Sequence, residues 1–139
     1  MNEQQDIEFK SQWSDTVLKT ACAFANTNGG RIYIGIDDNG NPVELKNIKK
    51  LMEDIPNTIK NIIGIVPKVS LVERNGNQVI EIQIESYKYP VSYKGAFYKR
   101  SGSTNTELSG TELTRFLLQK SGFVWDQTMQ HLMISTLKL

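Results

Sequence analysis

Ala21-Cys22-Ala23-Phe24-Ala25-Asn26-Thr27-Asn28-Gly29-Gly30 runs directly into Arg31-Ile32-Tyr33-Ile34-Gly35-Ile36-Asp37-Asp38, and this stretch decides the fold. Val17, Leu18, Ala21, Cys22, Phe24 and Ala25 form a wide apolar stripe at helical spacing, and small residues let such a helix approach its neighbours closely. Ser14 reads as the N-cap, with Asp15 in the first turn, where the helix dipole favours an acid. Gly29-Gly30 ends the helix, because glycine adopts left-handed backbone at little cost. Residues 31–37 then alternate as a strand with Ile32, Ile34 and Ile36 facing the core. They deliver Asp37-Asp38 to a turn at Asn39-Gly40-Asn41-Pro42.

Upstream, residues 6–10 read as a strand, with Ile7 and Phe9 on one face and Asp6, Glu8 and Lys10 on the other. Downstream, Leu45, Ile48, Leu51, Met52 and Ile55 recur at helical spacing, and Pro56 is expected to break or kink that helix. A second short helix would carry Ile59, Ile62 and Ile63. Residues 66–74 and 78–85 flank Asn75-Gly76-Asn77 as a hairpin, and residues 90–93 and 96–100 flank Lys94-Gly95 as another. Residues 101–106 read as a polar loop, and residues 112–120 as a short helix stopped at Gly122. The order β-α-β-α-β-β-β-β-α predicts an α+β fold with a mainly antiparallel sheet and flanking helices. Residues 1–122 are expected to form one domain. Residues 123–139 carry Trp125, Met129, Leu132, Met133 and Leu137 at helical spacing, as a C-terminal helical tail or the start of a missing domain.

With 39% hydrophobic and 22% charged residues, the 139-residue chain falls among ordinary globular domains. It contains no apolar run of about 18 residues and no basic start leading into an apolar signal segment. A cytoplasmic protein without a membrane partner is the expectation. One cysteine cannot form an internal disulfide, and one cysteine with one histidine cannot make a structural zinc site. Cys22 reads as a buried structural thiol and His131 as structural or exposed. Neither GxxxxGK[ST] nor a GxGxxG after a strand is present, so ATP is not an expected ligand. A net charge of +1 means that binding to nucleic acid would require the positive charge to be concentrated in one place.

Two constellations could carry chemistry. Glu3, Glu8 and Asp38 offer carboxylate oxygens of the kind that hold Mg²⁺ or Mn²⁺, and such an ion can activate water against a phosphodiester. Glu3 and Glu8 would converge only if the chain bends near residues 4–6, and the alternative is a solvated terminal acid and a turn acid. Lys10 either pairs with Glu8 or contacts a phosphate. The second constellation lies between Glu85 and Glu107, where no acid intervenes: Lys88, Tyr93, Lys94, Tyr98, Lys99 and Arg100, then Ser103 and Thr104. Basic side chains beside aromatic rings suit a phosphate backbone with unpaired bases. An ordinary strand pair, with rings in the core and lysines in water, is the other reading. Asn26, Thr27 and Asn28 are expected to cap the helix end or to touch the Asp37-Asp38 turn.

Ile7-Glu8-Phe9-Lys10, then Ala23 to Gly30, then Ile34-Gly35-Ile36-Asp37-Asp38-Asn39-Gly40 together resemble the Schlafen AlbA_2 domain, also labelled divergent AAA-4 or RecG-related DNA-binding. Pro90-Val91-Ser92-Tyr93-Lys94-Gly95 and Tyr98 to Thr104 look like its second block, and the match runs from about Glu3 to Lys120. The resemblance implies a compact α+β domain at the N-terminus of bacterial transcriptional regulators. It also implies an alternative, since Schlafen endoribonucleases acting on structured RNA use two glutamates and an aspartate at positions matching Glu3, Glu8 and Asp38. Those nucleases add a zinc-binding His/Cys set and a second lobe, which this sequence lacks. The leading expectation is DNA binding without a required cofactor. The alternatives are a Mg²⁺- or Mn²⁺-dependent endoribonuclease and a non-catalytic oligomerisation domain, with a homodimer as a partner state.

Overall fold

A computed structural model of the chain describes residues 6–121. Glu3, Gly122 and the tail with Trp125 and His131 lie outside the described residues. Ten elements follow one another: β1 (Ile7–Lys10), α1 (Thr16–Asn26), β2 (Gly30–Ile34), α2 (Ile48–Ile63), β3 (Lys68–Arg74), β4 (Asn77–Ile84), β5 (Ser92–Tyr93), β6 (Ala96–Ser101), β7 (Thr104–Glu107) and α3 (Gly110–Lys120). One sheet has the order β1-β2-β4-β3, with β1 parallel to β2 and the other pairs antiparallel. A second, antiparallel sheet has the order β5-β6-β7. The architecture is α+β. None of the described helices is long and apolar enough to cross a membrane.

Helix α1 packs against both sheets, and this explains its composition. Every residue from Val17 to Asn26 except Lys19 is buried. Alanine is the best helix former and adds no bulk, so a helix covered on nearly all sides can rely on Ala21, Ala23 and Ala25. The main core joins α1 to Ile32 and Ile34 of β2, to Ile80, Ile82 and Ile84 of β4, and to Ile55, Ile59 and Ile63 of α2. Register places Glu8 beside Ile32 and Lys10 beside Ile34, so both polar residues of β1 face this main core. Ile7 and Phe9 face the other way. There, Phe9, Tyr33, Ile36 and Val79 form a smaller apolar cluster, with the Phe9 and Tyr33 rings meeting edge-on at 6.1 Å.

Gly29 and Gly30 are required by packing. Gly29 has φ +75°, and a Cβ there would lie 2.6 Å from the Ile84 carbonyl oxygen. A Cβ on Gly30 would lie 2.8 Å from the Phe24 ring and 2.9 Å from the Asp6 oxygen. The glycines thus permit β2 to emerge directly beneath the helix it follows.

The structure corrects several expectations. Helix α2 is continuous through Pro56. A proline inside a helix costs about 3 kcal/mol, while burying Ile55, Ile59 and Ile63 along one stripe gains about 1.5–3 kcal/mol for each side chain, so packing prevails. Ile36 leaves the face of Ile32 and Ile34, because Gly35 and Ile36 both donate to the Lys10 carbonyl, at 2.7 and 3.3 Å. Two residues opposing one form a bulge, which resets the alternation. The polar stretch after Arg100 is a tight hairpin into β7 and not a loop. Strand β7 lacks alternating apolar residues, and Asn105 anchors it by donating from Nδ2 to the Thr20 hydroxyl at 2.9 Å. Asp15, not Ser14, occupies the N-cap position of α1.

Asn26 does not serve as a cap and does not meet the Asp37-Asp38 turn. Its buried carboxamide donates to the Val91 carbonyl at 2.7 Å and the Tyr98 carbonyl at 2.8 Å, and accepts from the Val91 N–H at 2.8 Å. It therefore stitches α1 to the second sheet. Replacing Asn26 by Ala strands the Val91 N–H and the Tyr98 oxygen. It should lower stability by about 3 kcal/mol, read as a fall in the urea midpoint at unchanged slope.

Cys22 is buried, as expected, and its thiol donates to the Val91 oxygen at 3.1 Å. Burial pushes the thiol up from 9.0 to about 11, so the folded state favours the protonated form. The resulting stabilisation is fully present below pH 9.0 and is lost as pH rises through about 11. Iodoacetamide at mildly alkaline pH should leave Cys22 intact in the native protein and alkylate it fully in urea. Equal labelling in both states would contradict the burial.

Candidate nucleic-acid interface

The residues singled out in the sequence separate into a buried group and an exposed group. Arg100 belongs to the first, although the sequence suggests a surface phosphate contact. Its side chain is 1% exposed, and Nη2 lies 2.8 Å from the Glu8 Oε2. Nη1 donates to the Asn105 Oδ1 at 2.8 Å, and the guanidinium stands 4.9 Å from the centre of the Phe24 ring. The Arg100 N–H donates to the Thr27 hydroxyl, which itself donates to the Ala23 oxygen. Arg100 thereby ties β6 to β1, β7 and α1.

This pairing also engages Glu8. One carboxylate oxygen faces Arg100 and the other lies 3.5 Å from the Lys10 ammonium. Both oxygens are committed to cations of the protein itself. Asp38 is exposed on the turn, where the neighbouring Asp37 does the local work by accepting from the Asn39 and Asn41 N–H groups. Among the described residues, no three His, Cys, Asp or Glu side chains are placed to share a metal ion. Glu3, the third carboxylate of the candidate set, lies outside the described residues.

Tyr93 is 7% exposed and belongs to the main core, as the strand-pair reading expects, whereas exposed Lys94 and half-buried Tyr98 border an open cleft of about 420 Å³ between the start of α1 and the β5–β6 hairpin. Asp15, Thr16 and Lys19 line it from the helix side. Tyr93 and Lys94 come from the hairpin, and Tyr98 and Glu107 from β6 and β7. The Lys19 ammonium lies 5.2 Å from the centre of the Tyr98 ring, and the Lys94 ammonium 5.3 Å from that of Tyr93. Such exposed cation–π contacts contribute about 0.5–1 kcal/mol each. The Tyr98 hydroxyl donates to the Glu107 Oε1 at 3.4 Å, and burial followed by this carboxylate raises the phenol above its usual range. Tyr98 therefore stays neutral at physiological pH.

The hairpin that presents Lys94 turns through two residues, with φ +51° at Lys94 and +79° at Gly95. Two left-handed residues in a two-residue loop make the primed turn that matches strand twist. Of the other candidates, Lys99 is spent on Glu112 at 2.7 Å, and the Thr104 hydroxyl donates to the Ser101 oxygen. Lys88 and Ser103 are exposed, beside the 73% exposed Tyr89 in the case of Lys88. Asp15, Thr16, Lys19 and Glu107 were not legible as site residues, since most of them stand some seventy positions from Tyr93 in sequence. One signal existed: Lys19 is the sole charge in a helix otherwise built for burial.

The Glu8–Arg100 contact has a measurable consequence. Arg100→Ala should destabilise the domain by about 3–5 kcal/mol, because it leaves a carboxylate buried without its partner. The double replacement Glu8→Leu with Arg100→Met should recover much of that loss in the same urea titrations.

Residues 3–109 match the family model described as Schlafen, AlbA_2. No curated protein matches the sequence significantly. Among solved structures, the DIP2311 protein from Corynebacterium diphtheriae aligns with a TM-score of 0.67 at 20% identity, covering 86% of this chain and 28% of that one. This chain therefore spans less than a third of that protein. The N-terminal domain of a RecG-related protein from Nitrosomonas europaea aligns with a TM-score of 0.54 at 22% identity, covering 76% of this chain and 82% of that one. These likenesses show the shared fold. The family match extends over well more than half of the sequence, and the chain belongs to the Schlafen AlbA_2 family.

Proposed function

We propose that this domain is a nucleic-acid-binding module, with DNA as its partner, serving as the N-terminal part of a bacterial transcriptional regulator. The observation that carries the reading is the cleft in which Lys19 and Lys94 lie on the rings of Tyr98 and Tyr93. Family membership supports it, as does the fold shared with a protein related to a DNA helicase. A net charge of +1 gives the molecule little general attraction for phosphate, so the affinity must come from locally placed cations. Lys19 and Lys94 line the cleft together with Asp15 and Glu107, and Lys88 stands on the loop leading to the same hairpin.

The reading needs no metal. Glu8 acts as the counter-ion of Arg100, so its part here is to hold the two sheets together behind the cleft.

Fluorescence anisotropy with labelled DNA at about 50 and 200 mM salt tests the proposal, since counterion release makes affinity fall as salt rises. Two lysine–phosphate contacts predict a log–log slope of about −1.5 to −2. Lys19→Gln and Lys94→Gln should each weaken binding and flatten that slope by about one contact's worth. Binding that ignores both substitutions, or no binding at low salt, would overturn it.

A further inference from the structure

We infer that the cleft between α1 and the β5–β6 hairpin takes one unstacked nucleotide, so that the module engages single-stranded or locally opened DNA in preference to an intact duplex. This rests on the functional reading above and makes it more specific. The lining argues for it through its balance of charge. Lys19 and Lys94 are opposed by Asp15 and Glu107, which leaves the cleft without net charge. A duplex offers a dense row of phosphates, and two carboxylates in the binding surface would repel it. A single nucleotide brings one phosphate and one base edge, and so can use both signs. The ammonium groups suit the phosphate, while Asp15 and Glu107 can accept from the exocyclic amine of a base such as cytosine.

The rings supply the remaining requirement. Tyr98 is half-buried: it packs against the main core and also lines the cleft, where the Lys19 ammonium stands 5.2 Å from the centre of its ring. Stacking of a base on tyrosine is stronger than an exposed cation–π contact, so a base can displace the lysine. The displaced ammonium then remains beside the incoming phosphate. A volume of about 420 Å³ lies within the range of clefts that hold small ligands, and an intact base pair keeps its ring faces covered by its neighbours.

The test compares a labelled oligodeoxycytidylate of about ten nucleotides with a mixed-sequence duplex of about 20 base pairs at one salt concentration, on the full chain. The oligonucleotide should bind about tenfold more tightly than the duplex. Tyr98→Ala should remove about that factor for the oligonucleotide, while Tyr98→Phe keeps most of the affinity. A second measurement needs no variant: an oligonucleotide carrying 5-iododeoxycytidine should crosslink under ultraviolet light to Tyr98, within the tryptic peptide of residues 95–99. Equal affinity for the two probes, or a crosslink confined to other peptides, overturns this inference and leaves DNA binding standing. Binding of neither probe overturns both.

Discussion

The Arg100 guanidinium lies among the Glu8 carboxylate, the Asn105 carboxamide and the Phe24 ring, and the rest of the molecule is arranged around it. A charge this deeply buried is tolerated only when its hydrogen bonds are satisfied and an opposite charge is close. Those partners come from the first strand, the last strand and the central helix. No two of these elements can separate without exposing a buried charge to apolar surroundings. Ion pairs of this kind add little net stability compared with a well-packed apolar substitute. Their value is positional: the two sheets can be docked in one relative placement, because a shifted docking would break the pairing.

The glycine pair beneath α1 imposes a second constraint, and the two act together. Gly29 and Gly30 bring the backbone of β2 against Phe24 and the end of β4. Phe24 is then held where its ring lies against Arg100. The conspicuous Asn-Gly-Gly stretch is therefore a packing device that seats the ion pair, and it contributes no atom to the cleft. The cleft lies toward the opposite end of α1, where Lys19 stands beside Tyr98 of the second sheet.

The scaffold was legible in the sequence wherever the cause was local. Helix α1, its glycine stop, strand β2 and both hairpins follow from spacing and turn residues. The misreadings arose where a distant contact outweighed a local preference. Pro56 stayed helical because three isoleucines share one buried stripe. Strand β7 formed without an apolar pattern because Asn105 is anchored to Thr20. Arg100 sat in a run of basic residues that looks uniformly solvent-facing, and only its pairing with a residue 92 positions earlier sets it apart. The cleft was half legible. Its tyrosines and Lys94 are close together in sequence, whereas Lys19 reaches them only through the packing of α1 on the second sheet.

Lys94 shows what the tight turn implies. Three non-glycine residues among those described have positive φ; two of them, Asn47 and Asn75, are of the type that tolerates this conformation best, and the third is Lys94. A lysine there carries a standing conformational penalty of about 1–2 kcal/mol. The cost is met before any ligand arrives, in the folding of the hairpin. The Lys94 backbone is thus held in a tight two-residue turn and not in a long loop. Less motional freedom remains to be surrendered at the moment of association. The same economy would apply to any partner that meets the turn through its backbone.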